Sequence, residues 1–170
     1  MLFRSVEFGA WDGVFLSNTR ALVEQQGYRA VLIEGDPERF ARLVANSLEG
    51  RVFPINAWVA VDGPTSLDAL LVSTPIPRDF DLLSIDVDGI DIHLWRSLSN
   101  YRPRIVCIEF NPTIPHRVSF VQPPDPTVQW GSSARAIVEL ASAKGYDLVA
   151  CTNVNLIFTP SELTPAVLGE

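Results

Sequence analysis

The chain has few basic residues and no long apolar run. Lys and Arg make up 13 of its 170 residues against 20 Asp and Glu, which gives a formal net charge of -7. Binding to a phosphate backbone requires a clustered basic surface, so we expect no nucleic-acid partner. Charged residues interrupt the apolar runs well short of the roughly 20 residues that span a bilayer, and no signal-peptide pattern opens the chain. We therefore expect no membrane partner and a cytoplasmic location.

Cysteine is also scarce. The two cysteines, Cys107 and Cys151, lie in apolar, strand-like segments and show neither CxxC nor Cys/His spacing. That spacing is required for the common metal and redox sites, so the pattern predicts two buried, unreactive thiols.

Strand-like and helix-like segments alternate along the chain, with short connections between them. At 18.8 kDa the length predicts one domain over residues 1–160, followed by a loose tail over 161–170. The alternation predicts a three-layer Rossmann-like α/β fold, doubly wound around a mostly parallel sheet of about seven strands. The last two strand segments, 146–152 and 155–159, are too close for a crossover. One of them should therefore run antiparallel near the C-terminus.

The first strand ends in an acid and a glycine-containing turn. The residues of this turn that we assign to ligand binding are Glu7, Gly9, Asp12 and Gly13. Glycine lets backbone approach a ligand closely, and a helix predicted over 14–26 would direct free N–H groups at it. Glu34 ends the second strand, where an acid can accept both hydroxyls of a ribose. The alternatives are an ordinary tight turn and a solvated or helix-capping acid.

Two motifs that bind phosphate are absent, since neither G-x-G-x-x-G nor G-x-x-x-x-G-K-[ST] occurs. A nucleoside cofactor without phosphates therefore fits the turn better than a dinucleotide. S-adenosylmethionine is the common cofactor of that kind.

The chain resembles the class I S-adenosylmethionine-dependent methyltransferases and, within them, the FkbM-type group. The segments that carry the resemblance are 7–13 as E-x-G-x-x-x-G, Glu34, 84–91 in the I-D-x-D/E-G-x-D/E position, and 108–111. The resemblance implies O-methylation of a small hydroxylated metabolite or of a glycan or lipid precursor. It also implies that Glu7, Gly9 and Gly13 line the amino-acid part of the cofactor, that Glu34 binds the ribose, and that adenine lies near 58–62.

Three carboxylates occur within six residues at the end of the fourth strand. Asp86, Asp88 and Asp91 repel one another unless a cation, a substrate amine or a shared proton compensates. Mg2+ suits oxygen ligands and would lower the pKa of an acceptor hydroxyl, and Asp88, Asp91 and Glu109 are its candidate ligands. The alternative is that Asp88 and Asp91 cap the following helix, 90–98, and shape a turn.

Asp86 and His116 are the candidate catalytic residues. Asp86 ends a central strand and should face the cofactor cleft, where it would meet the cationic end of the cofactor or the acceptor. His116 lies in the proline-rich loop 111–129 and is a candidate general base, whereas His93 is predicted to be a surface or partly packed residue of the helix.

The expected partners are a small-molecule acceptor and either a second copy of the chain or a protein that supplies a lid, because few residues precede Glu7. The alternative to an enzyme is a non-catalytic module that binds S-adenosylmethionine or another nucleoside.

Overall fold

The computed structural model describes residues 3–169, so residues 1–2 of the predicted domain and 170 of the predicted tail lie outside the described residues. The strands are β1 (Phe3–Phe8), β2 (Arg29–Glu34), β3 (Val52–Asn56), β4 (Leu82–Ile85), β5 (Ile105–Glu109), β6 (Tyr146–Cys151) and β7 (Asn155–Pro160). The helices are α1 (Arg20–Gln25), α2 (Pro37–Asn46), α3 (Leu67–Val72), α4 (Asp91–Ser97), α5 (Ala134–Ala143) and α6 (Thr164–Leu168), with 3-10 turns at Gly63–Thr65 and Ser161–Leu163.

The described strands form one seven-stranded sheet in the order β3-β2-β1-β4-β5-β7-β6. Strands β1 to β5 run parallel to one another, whereas β7 is antiparallel to both of its neighbours, β5 and β6. The predicted α/β fold, with a mostly parallel sheet and one antiparallel strand near the C-terminus, is therefore confirmed. The order reverses beside β1, which is where a doubly wound sheet opens a crevice for ligands.

Side chains that alternate along the central strands divide the core between the two faces of the sheet. Val6, Phe8, Val31 and Ile33 belong to the larger apolar cluster, together with residues of α3, α4 and α5. The neighbouring positions Ala30 and Leu32 belong to a smaller cluster, which they share with Val23 of α1 and Leu43 of α2. Helices thus cover both faces, as a mostly parallel sheet requires.

The start of α2 follows from local sequence. The Asp36 carboxylate accepts hydrogen bonds from the Glu38 and Arg39 amides, and Pro37 is the first helical residue. Both residue types favour a helix start, because the aspartate satisfies free N–H groups and proline has none to satisfy.

The first helix is shorter than predicted. It begins at Arg20 and not at residue 14, so the prediction of a helix over 14–26 is wrong for its first half. The Asp12 carboxylate accepts hydrogen bonds from the Val14 and Phe15 amides, and Leu16 has a φ of 55°. Side chains that bind nearby backbone in this way compete with helix formation.

Two expectations about the C-terminal part also need correction. The expected loose tail contains the 3-10 turn Ser161–Leu163 and helix α6. Cys107 is buried as expected, but Cys151 is exposed, because it lies on β6 at the edge of the sheet. Among the described residues no helix is both long and apolar enough to cross a membrane.

Candidate functional site

The turn after β1 packs directly against the end of β4. Gly9 has a φ of 74°, and a Cβ built on it would lie 1.6 Å from the carbonyl oxygen of Asp86. Gly13 has a φ of 73° and closes the turn through its amide, which donates to the Ala10 carbonyl at 2.8 Å. The structure thus places the glycine turn beside Asp86, at the carboxyl edge of the sheet.

Glu7 organises the loop that replaces the expected first turns of helix. The residue is only 4% exposed. Its Oε1 accepts the Asn18 amide at 2.8 Å, and its Oε2 accepts the hydroxyls of Ser17 at 2.7 Å and Thr19 at 2.5 Å. The Asn18 side chain in turn donates to Ser84 Oγ on β4 at 3.0 Å. Glu7 therefore fixes the loop over the ends of β1 and β4.

Ser17, Asn18 and Thr19 are the residues of this loop that sequence analysis missed. A run of three side chains that favour turns and caps over helix interiors was the available signal. Their common partner, Glu7, lies 10 to 12 positions earlier in the chain, outside the reach of local pattern rules.

Glu34, on the neighbouring strand β2, holds the glycine turn 9–13. Only 3% of Glu34 is exposed, and its Oε2 accepts the Trp11 amide while its Oε1 accepts the Asp36 amide, both at 2.8 Å. Trp11 has a φ of 50°, so the carboxylate supports a backbone conformation that a non-glycine residue rarely adopts. Asp12 lies in this turn, and the Phe15 amide is the main group that lowers the pKa of Asp12.

An exposed aromatic ring lies near Glu34. Trp58 follows β3 and is 70% exposed. The end of β3 is joined to Glu34, whose carbonyl accepts the Ala57 amide at 3.1 Å and the Asn56 side chain at 2.8 Å. The end of β2 thus combines a buried carboxylate with a nearby ring that a ligand can reach.

The candidate catalytic and metal-binding acids come together across β4 and β5. Carboxylate oxygens of Asp86, Asp88 and Glu109 all lie within 4.8 Å of one another. Burial raises the pKa of Asp86 to about 6, with further contributions from the negative charges of Asp91, Asp88 and Glu7. Burial also raises the pKa of Glu109 to about 7, and Asp86 adds to the shift. These two carboxyls therefore exchange protons close to neutral pH.

Asp91, the third candidate metal ligand, is not part of this cluster. It is buried at the start of α4, where its two carboxylate oxygens accept the Val87 and Gly89 amides at 2.9 Å each. Burial raises the pKa of Asp91, and the two amides oppose that shift. The arrangement matches the alternative interpretation in which Asp91 shapes the turn between β4 and α4.

A pocket of about 320 Å³ opens beside the acidic cluster. Its lining in the described part of the chain consists of Asp88, residues 109–112 and residues 129–131, and contains no Lys, Arg or His. The segment 129–131 is held by Gln122, a fully buried residue that sequence analysis missed. The sequence gives little indication of this role, because a glutamine in a proline-rich loop is ordinarily solvated.

The two histidines lie in different surroundings. His93 is buried on α4, and its Nε2 lies 2.6 Å from the Gln122 carbonyl oxygen. His116 is exposed and does not line the pocket. The structure therefore brings Asp86, but not His116, to the acidic cluster.

Comparison with solved structures shows a fold that this chain shares with several methyltransferases. TrmK from M. capricolum, solved with S-adenosyl-homocysteine, matches with a TM-score of 0.55 and 12% identity over 94% of this chain and 64% of that one. A putative O-methyltransferase from Klebsiella pneumoniae matches with a TM-score of 0.59 and 18% identity over 92% and 72%. A protein described as a pericyclic reaction enzyme matches with a TM-score of 0.52 and 13% identity over 94% and 43%.

The similarity extends to the fold alone. No protein-family model and no curated protein sequence matches the chain. The chain spans about two thirds of the length of TrmK and less than half of the pericyclic enzyme. Since one fold carries different reactions in these proteins, the chemistry has to be argued from the site.

Proposed function

We propose that the chain is an S-adenosylmethionine-dependent methyltransferase that methylates a hydroxyl oxygen of a small acceptor. One observation carries the proposal: at the switch point of a class I methyltransferase fold, two buried carboxylates near the ends of adjacent strands order the segment after β1. Glu34 holds the turn 9–13 through the Trp11 amide, and Glu7 holds residues 17–19 that follow it. In such sheets ligands bind outside the carboxyl ends of the strands, at that point.

The residues present fit a cofactor that carries a nucleoside and a positive charge. Each oxygen of the Glu34 carboxylate accepts one backbone amide, and a carboxylate oxygen has a second lone pair available for a ribose hydroxyl. Trp58 would provide the face for adenine. Glu7 and Asp86 suit the sulfonium and ammonium groups better than they suit phosphates. When bound, the cofactor supplies a methyl group on its sulfonium.

The acceptor would occupy the pocket beside the acidic cluster. Asp86 joins the two halves of the site. Its backbone carbonyl packs against Gly9 on the cofactor side, and its carboxylate lies within 4.8 Å of those of Asp88 and Glu109 on the pocket side. In this proposal Asp86 orients the acceptor hydroxyl and receives its proton. His116 stays the alternative base, and would have to act from the exposed part of its loop.

A divalent cation is a separate proposal for the same acids. Asp88 and Glu109, together with Asp86, offer the oxygen ligands that Mg2+ prefers. The cation would lower the pKa of the acceptor hydroxyl. A methylation rate that survives a chelator would remove Mg2+ from the proposal and leave the transferase intact.

A non-catalytic binding module is the second candidate. The observation that favours it is that Glu7, Glu34 and Asp12 already accept hydrogen bonds from backbone amides and hydroxyls of the segment 11–19. A pre-built turn of this kind serves binding whether or not methyl transfer follows.

A binding measurement tests the identity of the cofactor, and a turnover measurement tests whether the protein is an enzyme. We expect calorimetry to detect S-adenosylmethionine and S-adenosylhomocysteine but neither NAD nor ATP. Glu34→Ala should weaken that binding at least about tenfold, since it removes charge-assisted hydrogen bonds. Glu38→Ala, an exposed acid on α2, is the matched control.

The absence of any heat with either cofactor would end the proposal. A screen of hydroxylated metabolites, with release of S-adenosylhomocysteine as readout, separates the two candidates. Binding without turnover on any of them would favour the non-catalytic module.

A further inference from the structure

Trp130 combines an exposed aromatic side chain with a place in the lining of the pocket. The residue is 65% exposed, although tryptophan usually buries most of its surface. An isolated exposed tryptophan needs no explanation. This one borders a 320 Å³ cavity, a volume near the lower end of the roughly 300 to 1,000 Å³ of small-molecule sites.

The backbone of Trp130 is fixed on both sides. Its amide donates to Gln122 Oε1 at 2.9 Å, and its carbonyl accepts the Asn111 side-chain amide at 2.6 Å. The Gln122 amide is fully buried and bonds two further groups, the Gly131 amide at 2.7 Å and the Val128 carbonyl at 2.6 Å. The segment that carries the indole is therefore already ordered before any ligand arrives.

Gln122 also ties this segment to Gly89, which follows the β4 strand. A Cβ built on Gly89 would lie 2.7 Å from Gln122 Nε2 and 2.6 Å from the Val128 carbonyl oxygen. Gly89 directly follows Asp88, which lines the pocket. The position of Trp130 relative to the acid is thus fixed by packing and not by a mobile loop.

We propose that Trp130 is the specificity-determining residue of the acceptor pocket, and that it selects acceptors whose hydroxyl is carried by a ring with a flat apolar face. The inference rests on the proposed function, since it assigns this pocket to the acceptor. An aromatic ring contacts a flat apolar face over a large area, and a side chain on a fixed backbone loses less conformational entropy on binding than one on a mobile loop. Open-chain polyols offer no such face.

Two sources of that chemistry exist, a phenolic ring and a sugar ring, and binding of matched probes distinguishes them. The probes are catechol, methyl β-glucoside and 1,2-propanediol, which is an open-chain diol. Each is titrated by ligand-observed NMR into the full chain, with and without S-adenosylhomocysteine. The variants are Trp130→Ala, Trp130→Phe and Trp58→Ala, all of which change exposed side chains.

We expect at least one ring probe to bind, and propanediol not to bind. Trp130→Ala should weaken the ring probe about tenfold, Trp130→Phe less than about threefold, and neither should change the affinity for S-adenosylhomocysteine. Trp58→Ala should instead weaken the binding of S-adenosylhomocysteine and leave the affinity for the ring probe unchanged. Failure of both ring probes to bind, equal binding of propanediol, or unchanged binding by Trp130→Ala would overturn the proposal. If only S-adenosylhomocysteine fails to bind, the proposed cofactor is wrong while the selection by Trp130 stands.

Discussion

The indole of Trp58 packs on the backbone of Gly35. A Cβ built on Gly35 would lie 2.2 Å from Cδ2 and 2.4 Å from Cε3 of the ring. Gly35 does not have a positive φ, so its backbone conformation is open to other residues and only the ring excludes a side chain there. The contact sets the ring beside Glu34, where the proposed nucleoside would lie.

Gly35→Ala should therefore impair binding more than folding. The added methyl group displaces an exposed ring that is free to move away, so we expect the free energy of unfolding to change by less than about 1 kcal/mol. The affinity for S-adenosylhomocysteine should fall about tenfold, because the face for adenine is lost. Calorimetry and chemical denaturation measure the two effects. An unchanged affinity would show that Trp58 does not contact the cofactor.

The two glycines of the β1 turn should differ in what they tolerate. Gly9→Ala would drive a methyl group into the Asp86 carbonyl, which no side-chain rotation relieves, so we expect a loss of about 4 kcal/mol or more in the free energy of unfolding. Gly13→Ala meets only Leu32 and Leu43 at 3.4 Å, so its cost should be the roughly 1–2 kcal/mol of a left-handed conformation. Equal losses in urea denaturation would contradict this difference.

Much of the fold is predictable from the sequence, because its signals are local. Alternating apolar segments give the order of strands and helices, and Asp36 with Pro37 gives the start of α2. The short link between β6 and β7 rules out a crossover, which is why the antiparallel strand was expected.

The parts that the sequence did not predict depend on contacts between distant residues. The loop at 14–19 stays out of helix because Glu7, on another element, bonds Ser17, Asn18 and Thr19. Gln122 is buried because the Gly89 turn and the 128–131 segment close around it. No periodicity or spacing in the sequence predicts either contact.

The pKa of Glu109 gives a prediction for stability against pH. The pKa is raised from 4.5 to about 7 in the folded protein, chiefly by burial. Between these values the folded state binds more protons than the unfolded state, so stability falls as pH rises through this range. The cost of the charged carboxylate is fully present above about pH 7.

Glu109→Gln removes that cost and should stabilise the protein at about pH 8 but not at about pH 4. We expect a gain of about 1–2 kcal/mol at the higher pH, less than the full shift implies because the carboxyl is partly solvated. Glu139→Gln is the matched control, since hydrogen bonds from Ser119 and Arg135 lower the pKa of that exposed acid and no gain is expected. Denaturation in the presence of a chelator measures both. A gain of equal size at both pH values would contradict the assignment.

Loss of charge should destabilise the protein at Asp91 but hardly at Asp88. The buried Asp91 carboxylate accepts the Val87 and Gly89 amides, one on each oxygen. Asp91→Asn replaces one acceptor with an NH2 group that faces an N–H donor, and we expect a loss of about 2–3 kcal/mol in the free energy of unfolding. Asp88 is exposed and has a φ of 59°, a conformation that asparagine tolerates well.

Asp88→Asn should therefore leave stability within about 0.5 kcal/mol of the parent chain. Thermal denaturation of the two variants side by side makes the comparison. If Asp88→Asn is the more damaging change, the turn between β4 and α4 depends on the exposed acid, and Asp91 is free for another role such as metal binding. If Asp91→Asn is the more damaging, the turn depends on the buried carboxylate. Asp88 is then available for a role in the pocket, where it lies close to Asp86 and Glu109.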